Sequence, residues 1–152
     1  MRTSRRVRDA HPLVLVVAVV YAVALGLLVF GPWGWGLNRV TVRLYVLLRF
    51  EWSVAPPWVA PDDYGVILNV LLFVPLGACL AILSGRVWSA TVLAAGCSAV
   101  VELVQLQWLD REASWADLLA NTLGAFLGAL AISLRALLEW RRAGRASSPR
   151  RR

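Results

Sequence analysis

Four polar residues, Glu102, Gln105, Asp117 and Asn121, lie within or at the ends of two segments that are otherwise apolar enough to live in lipid. An ionisable side chain at membrane depth is costly, and it normally faces a bundle interior or a wet cavity. The spacing is regular. Ser98, Glu102 and Gln105 stand at i, i+4 and i+7, and Asp117, Asn121, Gly124 and Gly128 at i, i+4, i+7 and i+11. On helices, each set forms one narrow stripe. The chemistry open to them is binding or proton transfer. Glu102 would serve as a deep acid or base, and with Asp117 it would form an acid–base pair on adjacent helices. Gln105 and Asn121 would orient a polar group by hydrogen bonds. Arg111, in the connection between the segments, has a planar fork suited to phosphate or carboxylate. Asp117 would position Arg111 or receive a cationic group.

Each of these residues also has a purely structural reading. Ser114-x-x-Asp117 fits a capping box at the start of a helix. Gly124-x-x-x-Gly128 is a small-xxx-small packing motif. Asn121 and Asn69 can hydrogen-bond across helices, and Arg111 can pair with Asp110 or Glu112 in solvent, where such pairs contribute little. Glu102 can form an ion pair with Arg111 or share a proton with Asp117. Ser98 and Ser114 are the only candidate nucleophiles, and no activation signature accompanies them. No His or Cys lies near the carboxylates in sequence, so no metal site is expected, and no cofactor is implied.

The elements that must hold these residues are membrane helices. Of 152 residues, 59% are hydrophobic and 16% charged, against about a quarter charged in a soluble domain. Apolar runs at about 12–31, 64–84, 87–108 and 115–138 each approach the ~20 residues a spanning helix needs. The expected fold is therefore all-α: a four-helix transmembrane bundle over residues 1–142, followed by an Arg-rich, disordered tail at 143–152. The first run is too long for the apolar core of a signal peptide, and no small-x-small cleavage site follows it, so it is read as retained. In the long connection 31–63, Leu37, Val40, Leu44, Leu47 and Leu48 recur at helical spacing with Arg39 and Arg43 opposite. This predicts a short amphipathic helix lying in the interface between the first two spans. The stretch SVAPPWVAPDDYG, with three prolines, predicts an extended, lid-like loop, with Asp62 or Asp63 capping the next helix. Pro75 predicts a bend and a freed carbonyl at Leu71.

All 16 basic residues are Arg, and the net charge is +7. Their distribution excludes a nucleic-acid role in favour of a topology. Arg39, Arg43, Arg49 and Arg111 fall on one side of alternating spans, and the other twelve on the opposite side. This is the positive-inside bias, and it places both termini in the cytoplasm of a multi-pass cell-membrane protein. The basic tails are expected to meet anionic headgroups, making membrane lipids the partners. The eight tryptophans fall near the predicted interfaces, as an aromatic belt requires. Cys79 and Cys97 read as small apolar helix residues and His11 as a bystander. By this topology Asn69, Glu102 and Asn121, on three separate spans, sit at similar depth in the outer leaflet. Glu102 and Asn121 are each about 9 Å of helix from the outer turn. The N-termini of the second and fourth spans point into the same region with their unpaired N–H groups.

Taken in order, Asn69-x-x-x-Phe73-x-Pro75-x-Gly77, then Glu102-x-x-Gln105, then Arg111, then Asp117-x-x-x-Asn121-x-x-Gly124-x-x-x-Gly128 resembles the VanZ-like family. The match covers about residues 64–130, in both order and spacing. The resemblance implies a small multi-pass bacterial membrane protein with polar positions at Asn69, Glu102, Gln105, Arg111, Asp117 and Asn121. The family's founding member is linked to resistance toward teicoplanin-type lipoglycopeptides. Three functions are thus expected to compete. The first is an outer-leaflet polar pocket, lined by those six residues, that binds the headgroup of a lipoglycopeptide antibiotic or a cell-envelope lipid. The second is a membrane hydrolase or transferase acting on envelope lipids, with Glu102 and Asp117 catalytic. The third is a structural or assembly role in which the polar residues only pack helices.

Overall fold

A computed structural model describes residues 2–31, 34–108 and 114–146, and every regular element in them is helical. The elements are α1 (Arg2–Phe30), α2 (Gly34–Val46), α3 (Pro61–Ser84), α4 (Val87–Trp108) and α5 (Trp115–Ala146). A single wide π-type turn, Leu47–Glu51, extends α2. Three helices, α3, α4 and most of α5, are long and apolar enough to cross a membrane. The fourth expected span is shorter in its apolar part: α1 begins at Arg2 and runs through Pro12, and only Pro12–Leu28 forms its apolar stretch.

The burial pattern explains how such apolar helices pack. The closed interior is built mainly from small residues, with Ala90, Ala94, Ala125 and Ala129 fully buried. Large side chains such as Leu13, Val20, Leu27, Leu71, Leu103 and Leu119 point outward, each more than half exposed. In lipid there is no hydrophobic force between helices, so association depends on close van der Waals contact, which small residues permit. Among the described residues, only Tyr64, Phe73 and Leu76 bring larger apolar groups fully into the core.

The tightest seam joins α3 to α5, which run parallel. A Cβ added at Gly124 would fall on the carbonyl oxygen of Val70, one at Gly128 on that of Val74, and one at Gly77 on that of Ala125. Two backbones meet directly there, and only glycine allows it. The Gly124/Gly128 motif therefore packs against α3, with Gly77 as its counterpart. α4 packs antiparallel to α5. Ala90 and Ala129 share one cluster, Ala94 and Ala125 share the next, and Asn121 reaches Ser98. These steps advance by four residues in opposite directions, and one further step sets Glu102 level with Asp117.

The connections follow local chemistry. α3 turns into α4 at Gly85, whose φ of 67° is the left-handed C-cap conformation glycine adopts without strain. Its N–H donates to the Ala81 carbonyl at 2.8 Å. α3 starts earlier than the expected 64. Pro61 occupies its first turn, where a missing N–H costs nothing, and only residues 52–60 form the non-helical connection. Asp63 does the capping, but from inside the helix: its Oδ2 accepts the Ala60 N–H at 2.8 Å. In α2, the expected apolar stripe is shifted. Leu44, Leu47 and Leu48 are half-buried, whereas Val40 is 49% exposed and lies on the side of Arg39 and Arg43. Tyr45 meets both Phe50 and Tyr64 edge-on, tying the end of α2 to the start of α3.

Pro75 lies inside α3. The Tyr21 hydroxyl of α1 donates to the Leu72 carbonyl at 2.7 Å, one residue beyond the carbonyl that Pro75 deprives of its partner. Irregular backbone in lipid is tolerated where a neighbouring helix supplies such a bond. α5 remains helical to Ala146, through the first residues of the Arg-rich segment; the rest of that tail lies outside the described residues.

Candidate functional site

The polar residues of α3, α4 and α5 converge at one end of the bundle, where α3 and α5 begin and α4 ends. Three contacts link them. The Asn69 amide nitrogen donates to Asp117 Oδ1 at 2.8 Å, joining α3 to α5. The backbone N–H of Ser114 donates to Glu102 Oε2 at 2.9 Å, joining the start of α5 to α4. One turn deeper, the Asn121 amide nitrogen donates to Ser98 Oγ at 2.8 Å.

The start of α5 shows why these residue types are needed. Ser114 is the N-cap: its Oγ accepts the Asp117 N–H at 3.2 Å, satisfying one of the orphan donors of the first turn. In a complete capping box, the residue at the third position would return the favour to the N-cap N–H. Here Glu102, from the neighbouring helix, takes that place. Asp117 is thereby released from local capping, and its carboxylate turns to Asn69. Both carboxylates sit at the positive end of the α5 dipole, which favours negative charge there. Replacing Ser114 with Ala is expected to cost about 1 kcal/mol, read as a lower thermal midpoint in detergent.

Asn121 is the most constrained member. It is 7% exposed and its partner Ser98 is 1% exposed. Its Oδ1 is buried with no hydrogen-bond partner. Because the two ends of an amide are assigned from their surroundings, the physical content is that Ser98 engages one end and the other end is unmatched. An unmatched buried polar atom is rare and calls for an explanation.

Of the six expected site residues, Asn69, Glu102, Asp117 and Asn121 are brought together. Gln105 lies one turn further along α4, half-buried, and it has an interaction of its own. Arg111 lies outside the described residues. Ser98, singled out in the sequence only as part of a stripe and as a candidate nucleophile, is the partner of Asn121. Tyr21 was not singled out; a lone hydroxyl in an apolar span was the available signal. Among the described residues, no group of three His, Cys, Asp or Glu side chains comes together as metal ligands would. Neither serine is paired with a base in the contacts seen: Ser98 accepts from an amide and Ser114 from a backbone N–H. Five tryptophans, Trp52, Trp58, Trp88, Trp115 and Trp140, are exposed near helix ends or in the connection before α3.

No curated protein and no solved structure matches the chain. The family profile described as VanZ/LLP1 matches residues 16–137, an interval that contains α3, α4 and the polar end that joins them to α5. Asn69, Glu102, Asp117 and Asn121 of the motif thus meet in one polar cluster, and Gly77, Gly124 and Gly128 in one seam, all within the matched region, and the chain belongs to the VanZ/LLP1 family.

Proposed function

We propose that the polar cluster of this VanZ-like membrane protein binds the headgroup or polar core of an amphiphile from the outer leaflet. The observation that carries this reading is the unmatched Asn121 amide beneath two carboxylates. Polar side chains that served packing alone would be expected to satisfy one another fully. Glu102, Asp117 and Asn121 Oδ1 are all acceptors, so the ligand is one that offers donors: peptide N–H, hydroxyl or ammonium groups. A lipoglycopeptide or an envelope lipid with such groups fits, and membership in the family adds a link to glycopeptide resistance.

In this reading α1 crosses as the fourth span, α2 lies in the outer interface, and both termini are cytoplasmic. The Arg distribution supports that topology. Gln105 is assigned to the same ligand, and Arg111, which lies outside the described residues, to an anionic group on it. The test is binding of a teicoplanin-class lipoglycopeptide, and separately of extracted envelope lipid, to the purified chain. Glu102→Gln and Arg111→Ala variants with wild-type thermal midpoints are expected to bind at least ten-fold more weakly. Unchanged affinity in both would remove the pocket reading and leave the packing role.

A further inference from the structure

The geometry points to a second polar site, on α2, that takes the phosphate of an anionic lipid headgroup. It uses none of the residues of the α3–α5 cluster and stands or falls apart from it. Gly36, Arg39, Val40 and Arg43 occupy i, i+3, i+4 and i+7 on one face of α2 and line a groove of about 220 Å³. That is room for roughly seven waters, enough for a phosphate that keeps part of its hydration. The two guanidinium groups start one helical turn apart, ~6 Å along the axis. Their forks suit bidentate contact with phosphate oxygens. Like charges at i, i+4 disfavour a helix by a few tenths of a kcal/mol, and Arg39 also has an interaction within the chain.

Gly36 is the small residue of this face: its φ is not positive, and an added Cβ would meet nothing within 4 Å. What its missing side chain leaves open is the floor of the groove beside Arg39 and Arg43. Val40, 49% exposed in the same groove, adds an apolar contact that a lipid's glyceryl carbons can use and free phosphate cannot. α2 also packs on α3, one of three helices in the chain fit to cross a membrane. These features favour the lipid headgroup as the source of the phosphate.

The experiment titrates the full chain in a neutral detergent with dihexanoyl phosphatidylglycerol, dihexanoyl phosphatidylcholine or inorganic phosphate, by calorimetry. The expected result is binding of phosphatidylglycerol at least ten-fold tighter than of phosphatidylcholine, weakening as salt is raised. An Arg39→Gln, Arg43→Gln double variant should lose at least ten-fold. Gly36→Leu, which fills the groove while keeping both charges and improving helix propensity, should lose a similar factor and remain folded even if the double variant does not. Glu102→Gln should bind phosphatidylglycerol as the wild type does, which separates this site from the α3–α5 cluster. Undiminished binding by Gly36→Leu, or inorganic phosphate competing at the same concentrations as the lipid, would overturn the proposal.

Discussion

Gly124→Val and Gly128→Val are expected to prevent recovery of folded, monodisperse protein from detergent, whereas Gly96→Ala leaves it intact or slightly stabilised. At positions 124 and 128 the first carbon of any side chain falls on a carbonyl oxygen of α3. The obstacle is backbone, not the flexible tip of a side chain, so it cannot swing aside. Relief requires α3 and α5 to separate, and with them the contacts of Phe73, Leu76 and Ala125. The cost should therefore reach or exceed the ~3 kcal/mol upper end of ordinary overpacking. Gly96, on α4, has nothing within 4 Å of an added Cβ, so alanine there gains only helix propensity, up to about 1 kcal/mol. Thermal unfolding and the monodisperse fraction on size exclusion measure both. A Gly128→Val chain melting with the wild type would mean that α3 and α5 do not approach this closely.

Ser98→Ala is expected to destabilise the bundle more than Asn121→Ala, although it removes fewer atoms. Without the Ser98 hydroxyl, the Asn121 amide stays buried with neither end matched, at a cost of about 1–3 kcal/mol. Asn121→Ala removes the amide together with its unmatched oxygen. It continues the small-residue steps made by Ala90 with Ala129 and Ala94 with Ala125. Its cost should be near the ~0.6 kcal/mol average for an interhelical hydrogen bond in a membrane protein. The same variant should lose amphiphile binding. The opposite order of stability, with Asn121→Ala the worse, would assign Asn121 to holding the bundle together.

The amphiphile reading and the packing reading predict different outcomes for the same residues because one leaves a group unmatched on purpose. Asn69 donates to one oxygen of Asp117, as glue would. Glu102 completes the cap of α5, which is a structural service that does not exhaust a carboxylate with two oxygens. Asn121 alone has a demand that nothing in the described bundle meets. This unmatched atom lies at the deepest point of the cluster, one turn below the level of the two carboxylates.

Composition and periodicity were enough to establish helices and a membrane protein, because apolar runs of spanning length have few other fates; of the four expected spans, three are long and apolar enough to cross, and the apolar part of α1 is shorter. They also singled out Glu102, Asp117, Asn121 and Asn69, since a polar group in such a run is conspicuous by its cost. The N-cap at Ser114 was equally legible, being a local motif. What they left undecided was partnership. Helical spacing says which residues share a face but not which helix that face meets, and Gly124 with Gly128 turned out to serve α3, with Gly77 opposite. Register between α4 and α5 was likewise tertiary: it paired Asn121 with Ser98 and let Glu102 take over the cap that Asp117 gives up for Asn69. Local rules misplaced the start of α3 and the exposed face of α2, where proline at a first turn and a groove between arginines depend on neighbours. The sequence alone shows where polarity must be compensated; only the packing of three helices decides which groups compensate one another and which atom, Asn121 Oδ1, is left unmatched.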